Sequence, residues 1–293
     1  MTKILDGKAL SLKIQEELKE KNSILIKEFG KNPKLAVFLV GDDPASVKYV
    51  RNKGKACEKI GIEFENVILP KDTSEKELLE KIEEFNKRED ITGILAQYPF
   101  PEQINYIKVF NTISPEKDVD GLNPFNIGER SFEKDVDNDD FKRPFESCTP
   151  IGIITLLEEN NIEIEGKNVV IIGRSFIVGR PLYDLFIRKN ATVTICHTKT
   201  QNIKEITNKA DIVVSAIGKP EIITEEYIKE GAIVVDVGIN VNEEGKLVGD
   251  VDFDNVSKKT SAITPVPGGV GPMTIAMLMK NTIKAFEKQN RKE

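Results

Sequence analysis

Four segments rich in apolar and β-branched residues recur through the second half of the sequence, and their spacing restricts the fold more than any other feature. They are 166-GKNVVIIG-173, 192-TVTICH-197, 211-DIVVSAIG-218 and 231-GAIVVDVG-238. The intervals between them suit the strands of a doubly wound sheet, because each interval can hold a crossover connection between parallel strands. We therefore predict an α/β fold with a parallel sheet in this half of the chain.

The first of these segments ends in a glycine-bracketed turn, Gly173-Arg174-Ser175-x-x-x-Gly179, followed by a helical pattern. Such a turn presents backbone N–H groups and a helix N-terminus, which together bind phosphate, so it predicts a bound nucleotide. The spacing differs from G-x-G-x-x-G, and the alternative is a turn with no ligand. Arg174 is well placed to pair with the 2′-phosphate that distinguishes NADP from NAD, the alternative being a solvated surface arginine.

The first half of the sequence also alternates between strand and helix patterns. Pro44 and Gly61 mark the ends of one helix, and Ser74 with Glu77 forms a capping box at the start of another. The predicted elements are strands over 34–41, 64–69 and 91–97 and helices over 44–61 and 74–89. The first half is therefore predicted to be α/β as well.

A chain of 293 residues is long enough for two domains. We predict a first domain made of residues 1–146 and 272–293, with an opening helix within 1–20 and a last helix over 274–288 that packs back on it. Residues 147–271 form the second domain, a Rossmann-like doubly wound parallel sheet. The two α/β domains are expected to flank a cleft where the chemistry takes place.

Composition and charge disfavour several classes of partner. The net charge of −6 disfavours nucleic acid and anionic membrane surfaces, and the N-terminal residues lack the continuous apolar run of a signal peptide or a membrane span. The three cysteines, Cys57, Cys148 and Cys196, are widely separated and fit a reducing cytoplasm. Residues 135–146 resemble a calcium loop, but Asp140 replaces the glycine that its turn requires, so we predict no metal site.

Three polar clusters in the first half suggest chemistry. Tyr49 and Lys53 lie four residues apart and therefore on one helix face, and Gln97 ends a predicted strand. Asp118 and Asp120 belong to a loop punctuated by proline and glycine. The alternatives are a solvated helix lysine for Lys53 and backbone caps for the two carboxylates.

Taken in order, these motifs resemble the bifunctional methylenetetrahydrofolate dehydrogenase/cyclohydrolase family, the FolD type. The similarity runs from near residue 5 to residue 285. It includes 41-GDDPASVKYVRNKGKACEKIGI-62, Gln97-x-Pro-x-Pro, 117-KDVDG-121, 148-CTPIGIITLL-157, 173-GRSFIVGRP-181, 192-TVTICHTKT-200, 211-DIVVSAIGKP-220, 235-VDVGIN-240, 249-GDVDF-253 and 266-VPGGVGPMT-274.

The resemblance implies an enzyme that oxidises 5,10-methylenetetrahydrofolate with NADP⁺ and hydrolyses the methenyl product to 10-formyltetrahydrofolate, within one-carbon metabolism and purine biosynthesis. By resemblance, Lys53 is the acid/base group of the hydrolytic step, Gln97 hydrogen-bonds to it, Tyr49 shapes the folate site and Asp120 anchors the pterin. A lysine whose pKa is lowered by partial burial suits that step. A carboxylate suits the paired donors of a pterin.

For the cofactor, the resemblance places Gly173, Arg174 and Ser175 at the phosphates, Thr198 near the 2′-phosphate and Ile239 at the nicotinamide end. Thr198 stands where the family usually has serine. Further family-based expectations are substrate contacts for Pro265, Gly268 and Gly269, although their loop could instead be a structural hinge.

The only histidine, His197, is expected to border the adenosine end of the cofactor rather than to act in catalysis. Tyr98 and Phe100 replace smaller aliphatic residues of the family and are expected to narrow the folate pocket. The family also implies a cytoplasmic homodimer. The alternatives are a dehydrogenase of another small substrate and a nucleotide-sensing protein without catalysis, for which Lys53 and its polar neighbours would have no reason to coexist.

Overall fold

A computed structural model describes residues 2–132 and 143–291 of the chain. The described residues divide into two compact units, and each is α/β. The first unit contains residues 2–12 and 147–274, and the second contains residues 13–132, 143–146 and 275–291. The predicted fold class is confirmed.

The strands and helices are numbered in chain order. The strands are β1 (Lys3–Ile4), β2 (Lys34–Val40), β3 (Glu63–Leu69), β4 (Gly93–Ala96), β5 (Asn168–Ile172), β6 (Thr192–Cys196), β7 (Ile212–Ser215), β8 (Ile233–Asp236), β9 (Asn240–Val241), β10 (Leu247–Val248) and β11 (Ala262–Ile263). The helices are α1 (Gly7–Phe29), α2 (Pro44–Ile60), α3 (Glu75–Lys87), α4 (Tyr106–Thr112), α5 (Pro124–Phe132), α6 (Cys148–Glu159), α7 (Gly179–Arg188), α8 (Ile203–Thr207), α9 (Phe253–Val256) and α10 (Val270–Asn290).

The first unit is built on a parallel six-stranded sheet with the order β1-β11-β8-β7-β5-β6. Its strands read as apolar runs because both faces of a parallel sheet are covered, and β7 is buried along its whole length. Strand β5 lies between β6 and β7, so the chain reverses its direction of winding there. This topological switch point is where open α/β sheets bind ligands.

The second unit contains a parallel three-stranded sheet with the order β3-β2-β4. The central strand β2 is almost entirely buried, and the ring of Phe38 packs edge-on against Phe85 of α3 with ring centroids 5.0 Å apart. Predicted caps hold the neighbouring helices: Ser74 accepts a hydrogen bond from the N–H of Glu77, and Gly61 ends α2 in the left-handed conformation.

The start of the chain differs from the prediction. Residues Lys3 and Ile4 form the edge strand β1, paired with Ala262 and Ile263, and α1 begins only at Gly7. The sequence predicts only a helix within residues 1–20, as part of the first domain. Two residues are too few to give a periodic signal, so no sequence pattern revealed a strand that depends on pairing with a distant segment.

Within the described residues, no helix is both long enough and apolar enough to cross a membrane.

The sequence that resembles a calcium loop includes Asp135, Asp137 and Asp139, which lie outside the described residues. Cys57, Cys148 and Cys196 are buried thiols that form no disulfide, and burial raises the pKa of the Cys57 thiol to about 12.

Candidate active site

Lys53, Gln97 and Tyr49 meet in the second unit. The Lys53 side chain is buried, with only 4% of the residue exposed, and its Nζ donates a hydrogen bond of 2.9 Å to Oε1 of Gln97. The same Nζ lies 4.9 Å from the centre of the Tyr49 ring, a cation–π distance. The alternative of a solvated helix lysine is therefore wrong for Lys53.

Local structure fixes each member of this group. Asp43 caps α2 by accepting a hydrogen bond from the N–H of Ser46, so the helix carrying Tyr49 and Lys53 begins at a defined residue. Gln97 directly follows β4, and its N–H still donates to the carbonyl of Phe38 in β2. Its amide Nε2 donates to the carbonyl of Tyr98, which leaves Oε1 directed at Lys53.

The loop of residues 117–121, called here the KDVDG loop, runs beside β4. The N–H of Ile94 donates to the carbonyl of Lys117, and Ile94 forms a parallel bridge with Asp118. Asp118 is buried and accepts hydrogen bonds from the N–H groups of Leu122 and Asn123. Burial raises the pKa of Asp118, although these bonds oppose the shift. Asp118 is thus a backbone cap, whereas Asp120 in the same loop is half-buried.

Buried polar side chains hold the backbone of the KDVDG loop through hydrogen bonds. Nη2 of Arg130 donates to the carbonyl of Gly121 at 2.9 Å, and its Nη1 lies 3.4 Å from the carboxylate of Glu146. Nδ2 of Asn281, in α10, donates to the carbonyls of Val119 and Glu146. The backbone around Asp120 is therefore anchored on both sides.

In the first unit, the glycine turn (residues 173–179) connects β5 to α7. A Cβ on Gly179 would lie 2.2 Å from the carbonyl oxygen of Gly173, and a Cβ on Gly173 would lie 2.4 Å from the carbonyl oxygen of Ala216. Only glycine fits at both positions, which allows the start of α7 to approach the end of β5. Arg174 and Ser175 are exposed, so the turn leaves room for a phosphate beside its backbone.

The turn after β6 is built around His197. Its Nδ1 accepts a hydrogen bond from the N–H of Lys199, and its N–H donates to Oγ1 of Thr200. Thr198 is exposed at the tip. His197 therefore has a structural role in shaping the turn that presents Thr198.

The remaining predicted cofactor and loop residues follow other strands of the same parallel sheet. Ile239 follows β8 and is 55% exposed, while Pro265, Gly268 and Gly269 follow β11. Because parallel strands have their carboxyl ends at one edge, the structure brings these residues to the same edge as the glycine turn and Thr198. The predicted catalytic residues Tyr49, Lys53, Gln97 and Asp120 belong to the other unit.

Sequence reasoning missed a pair of buried carboxylates behind this edge, Asp236 at the end of β8 and Asp250 after β10. Burial raises the pKa of Asp236 to about 6, against the effect of the N–H groups of Asp250, Val251 and Gly238, while the neighbouring Asp250 raises it further. The only sequence signal was a glycine within two residues of each aspartate, in the motifs 235-VDVG-238 and 249-GDVDF-253. In the described part of the chain, no group of three or more His, Cys, Asp or Glu side chains could hold a metal ion.

These features define a class of protein, an α/β enzyme with a dinucleotide site on a parallel sheet and a second unit carrying a buried lysine. Family models match both parts of the chain: the tetrahydrofolate dehydrogenase/cyclohydrolase catalytic domain over residues 5–120, and the NAD(P)-binding domain of the same enzymes over residues 147–290. The chain belongs to the tetrahydrofolate dehydrogenase/cyclohydrolase family.

Individual relatives agree with this assignment. The chain is 54% identical to the bifunctional protein FolD of Lachnoclostridium phytofermentans over 288 residues, which cover 98% of the chain and 99% of that protein. It is similar to the crystal structure of the Campylobacter jejuni bifunctional enzyme FolD, with 48% identity, a TM-score of 0.92 and coverage of 98% and 99%. A Trypanosoma brucei FolD complexed with NADP cofactor and inhibitor gives 36% identity, a TM-score of 0.93 and 99% coverage of both chains.

The predictions of function and cofactor are thereby confirmed. The protein is a bifunctional enzyme of tetrahydrofolate one-carbon metabolism, a methylenetetrahydrofolate dehydrogenase and a methenyltetrahydrofolate cyclohydrolase with an NADP-binding domain.

Proposed function

We propose that Lys53 is the group that transfers protons in the hydrolytic reaction. The observation that carries this proposal is a buried primary amine hydrogen-bonded to Gln97 and lying over the ring of Tyr49. Burial of a lysine costs free energy, because the charged amine loses its hydration there. A role in proton transfer to and from a bound substrate accounts for a lysine at such an unfavourable position.

In this reaction, water attacks the methenyl carbon and loses one proton to the Lys53 Nζ. The Nζ then returns this proton to the folate nitrogen that is released when its bond to that carbon breaks. The second proton of the water goes to solvent as the hydroxyl becomes the formyl carbonyl, so the atoms balance. Gln97 holds the amine in place through Oε1, while Tyr49 shapes the surface beneath the substrate.

Asp120 is proposed to anchor the pterin. A carboxylate accepts two hydrogen bonds from an adjacent ring N–H and amino group, and this geometry suits the pterin edge. Support comes from the KDVDG loop, whose backbone is held by Arg130 and Asn281. Pro265, Gly268 and Gly269 are proposed as further substrate contacts.

On the cofactor side, NADP⁺ accepts the hydride when bound. The glycine turn suits its phosphates because Gly173 and Gly179 let the start of α7 approach the end of β5, which brings the N-terminus of α7 to the turn. We propose that Gly173 and Ser175 hold the pyrophosphate, that Arg174 and Thr198 recognise the 2′-phosphate, and that Ile239 contacts the nicotinamide end. If Arg174 selects NADP, Arg174→Ala should raise KM for NADP⁺ at least about ten-fold, with little change for NAD⁺. Equal changes for both cofactors would contradict this role.

The experiment that tests the catalytic proposal compares Lys53→Gln with Lys55→Gln. Lys55 is exposed on the same helix, so its variant controls for the loss of one positive charge. Hydrolysis of supplied methenyltetrahydrofolate should fall at least about 100-fold in Lys53→Gln, while NADP⁺ reduction stays measurable. Lys55→Gln should keep both activities. Full hydrolysis by the folded Lys53→Gln variant would refute the assignment.

Family membership also supports three broader proposals: a homodimer, a cytoplasmic location, and supply of 10-formyltetrahydrofolate to purine biosynthesis. Light scattering after size-exclusion chromatography measures the first, and a monomer at micromolar concentration would contradict it. Cell fractionation tests the second. Rescue of purine-free growth in a strain lacking this activity tests the third.

A further inference from the structure

Asp250 is fully buried behind the predicted cofactor edge of the first unit. Its carboxylate oxygens accept hydrogen bonds of 2.7–3.1 Å from five donors: the N–H groups of Ile217, Gly218 and Lys219, Nδ2 of Asn240 and Oγ of Ser215. Three consecutive backbone N–H groups directed at one carboxylate fix the path of that backbone. A residue with no exposed surface cannot itself touch a bound cofactor.

Asp236 fixes the backbone on which Asp250 lies. The carboxylate of Asp236 accepts hydrogen bonds from the N–H groups of Asp250, Val251 and Gly238, at 2.9–3.0 Å. Two glycines make room for the pair: a Cβ on Gly249 would lie 1.8 Å from Oδ2 of Asp236, and a Cβ on Gly238 would lie 2.2 Å from Oδ1 of Asp250. The carboxylates occupy the space that these glycines leave.

The segments held in this way follow two neighbouring strands. Residues 217–219 follow β7, and residues 237–240 follow β8, which pairs with β7 in parallel. Both segments therefore lie at the sheet edge that carries the glycine turn, the first after the strand next to β5 and the second after the strand beyond it. Ile239 lies between Gly238, bonded to Asp236, and Asn240, bonded to Asp250, so both of its neighbours are fixed.

We propose that Asp250 is a positioning residue for dinucleotide binding, which orders the loops after β7 and β8 so that they receive the nicotinamide half of the cofactor. This inference rests on the proposed cofactor site and extends it to a residue that makes no contact with the ligand. A carboxylate is required because all five partners donate. An asparagine would direct an NH₂ group at either the Ile217 or the Gly218 and Lys219 N–H groups, leaving at least one of these donors without its acceptor.

The test compares Asp250→Asn with Asp252→Asn. Asp252 caps the short helix α9 through the N–H of Asn255 and has no hydrogen bond to either loop among those described; asparagine is an equally good cap. Isothermal titration with NADP⁺ alone measures Kd, and hydrolysis of supplied methenyltetrahydrofolate reports on the other activity. We expect Asp250→Asn to raise Kd at least about ten-fold, with KM for NADP⁺ rising in parallel and hydrolysis changing less than two-fold. Asp252→Asn should leave all three unchanged.

A second variant tests the proposal in case the Asp250→Asn protein does not fold. If Asp250→Asn unfolds, Asn240→Ala removes one of the five bonds from a half-buried residue and should raise Kd for NADP⁺ about three- to ten-fold. Wild-type Kd in a folded Asp250→Asn, or in Asn240→Ala when the first variant unfolds, would overturn the proposal. An unchanged KM for NADP⁺ in Arg174→Ala would instead overturn the proposed cofactor site, and titration of the Asp250 and Asn240 variants keeps that outcome separate.

Discussion

Replacing Gly179 by alanine adds one methyl group at the closest approach within the glycine turn. The new Cβ would lie 2.2 Å from the carbonyl oxygen of Gly173 and 2.9 Å from Cα of Arg174. Non-bonded heavy atoms are most favourable at about 3.5–4.0 Å, so the end of β5 and the start of α7 must separate by more than about 1 Å. That movement displaces the backbone N–H groups proposed to bind the cofactor phosphates.

The magnitude follows from two effects. Overpacking of this kind typically lowers the free energy of unfolding by about 1–3 kcal/mol. A hydrogen bond to a charged group contributes about 1.5–3 kcal/mol, so misplacing one phosphate contact should raise Kd for NADP⁺ by about 10- to 100-fold. Hydrolysis of supplied methenyltetrahydrofolate, which needs no dinucleotide, should change far less than binding does.

Gly128→Ala is the matched control. Gly128 lies in α5, and a Cβ there would meet nothing within 4 Å. Its variant should gain about 0.5–1 kcal/mol of stability from helix propensity and bind NADP⁺ like the wild type. For both variants, calorimetric titration measures Kd for NADP⁺ and urea unfolding measures the free energy of unfolding. A folded Gly179→Ala protein with Kd within two-fold of wild type would refute the reasoning.

Three further predictions concern stability. Because burial raises the pKa of Asp236 to about 6, the folded state binds its proton more tightly than the unfolded state, and its contribution to the free energy of unfolding falls by roughly 2 kcal/mol from pH 4 to pH 7. Asp236→Asn should lack this fall in urea unfolding at the two pH values; parallel pH profiles would contradict it. Arg130→Met leaves buried carbonyls and a carboxylate without their partner and should cost about 3–5 kcal/mol by the same assay, a loss below about 1 kcal/mol being inconsistent. Phe38→Ala should cost about 3–5 kcal/mol, whereas Phe132→Ala at an exposed ring should change stability by less than about 0.5 kcal/mol, and similar losses for both would count against the assigned core.

Much of the fold could be predicted because its signals are local. The helix predicted over 44–61 is α2, Pro44–Ile60, with Gly61 as its cap, and the strand predicted over 192–197 is β6. The parallel sheet was recognisable because its strands are buried on both faces and therefore read as unbroken apolar runs. The capping residue Ser74 was predicted from sequence and found in the structure.

Features that depend on distant pairing could not be predicted. Strands β1 and β11 have two residues each, too few for any periodicity, and each is defined by its neighbour in the sheet. Residue type and spacing alone could not predict the burial of Lys53, which only the family resemblance suggested, since lysines are mostly exposed and only the fold brings Gln97 to its amine. The role of Asp250 was not predictable from the glycine beside it, because the donors around Asp250 come from segments up to 35 residues away along the chain.

Strand β1 has a consequence for synthesis on the ribosome. Lys3 and Ile4 emerge about 260 residues before their partners Ala262 and Ile263. At a translation rate of about 5–20 residues per second, roughly 13–50 seconds pass between the synthesis of β1 and that of β11, and β1 cannot pair with β11 during that time. Strands β2, β3 and β4, by contrast, all lie within residues 34–96 and can pair while the rest of the chain is still being translated.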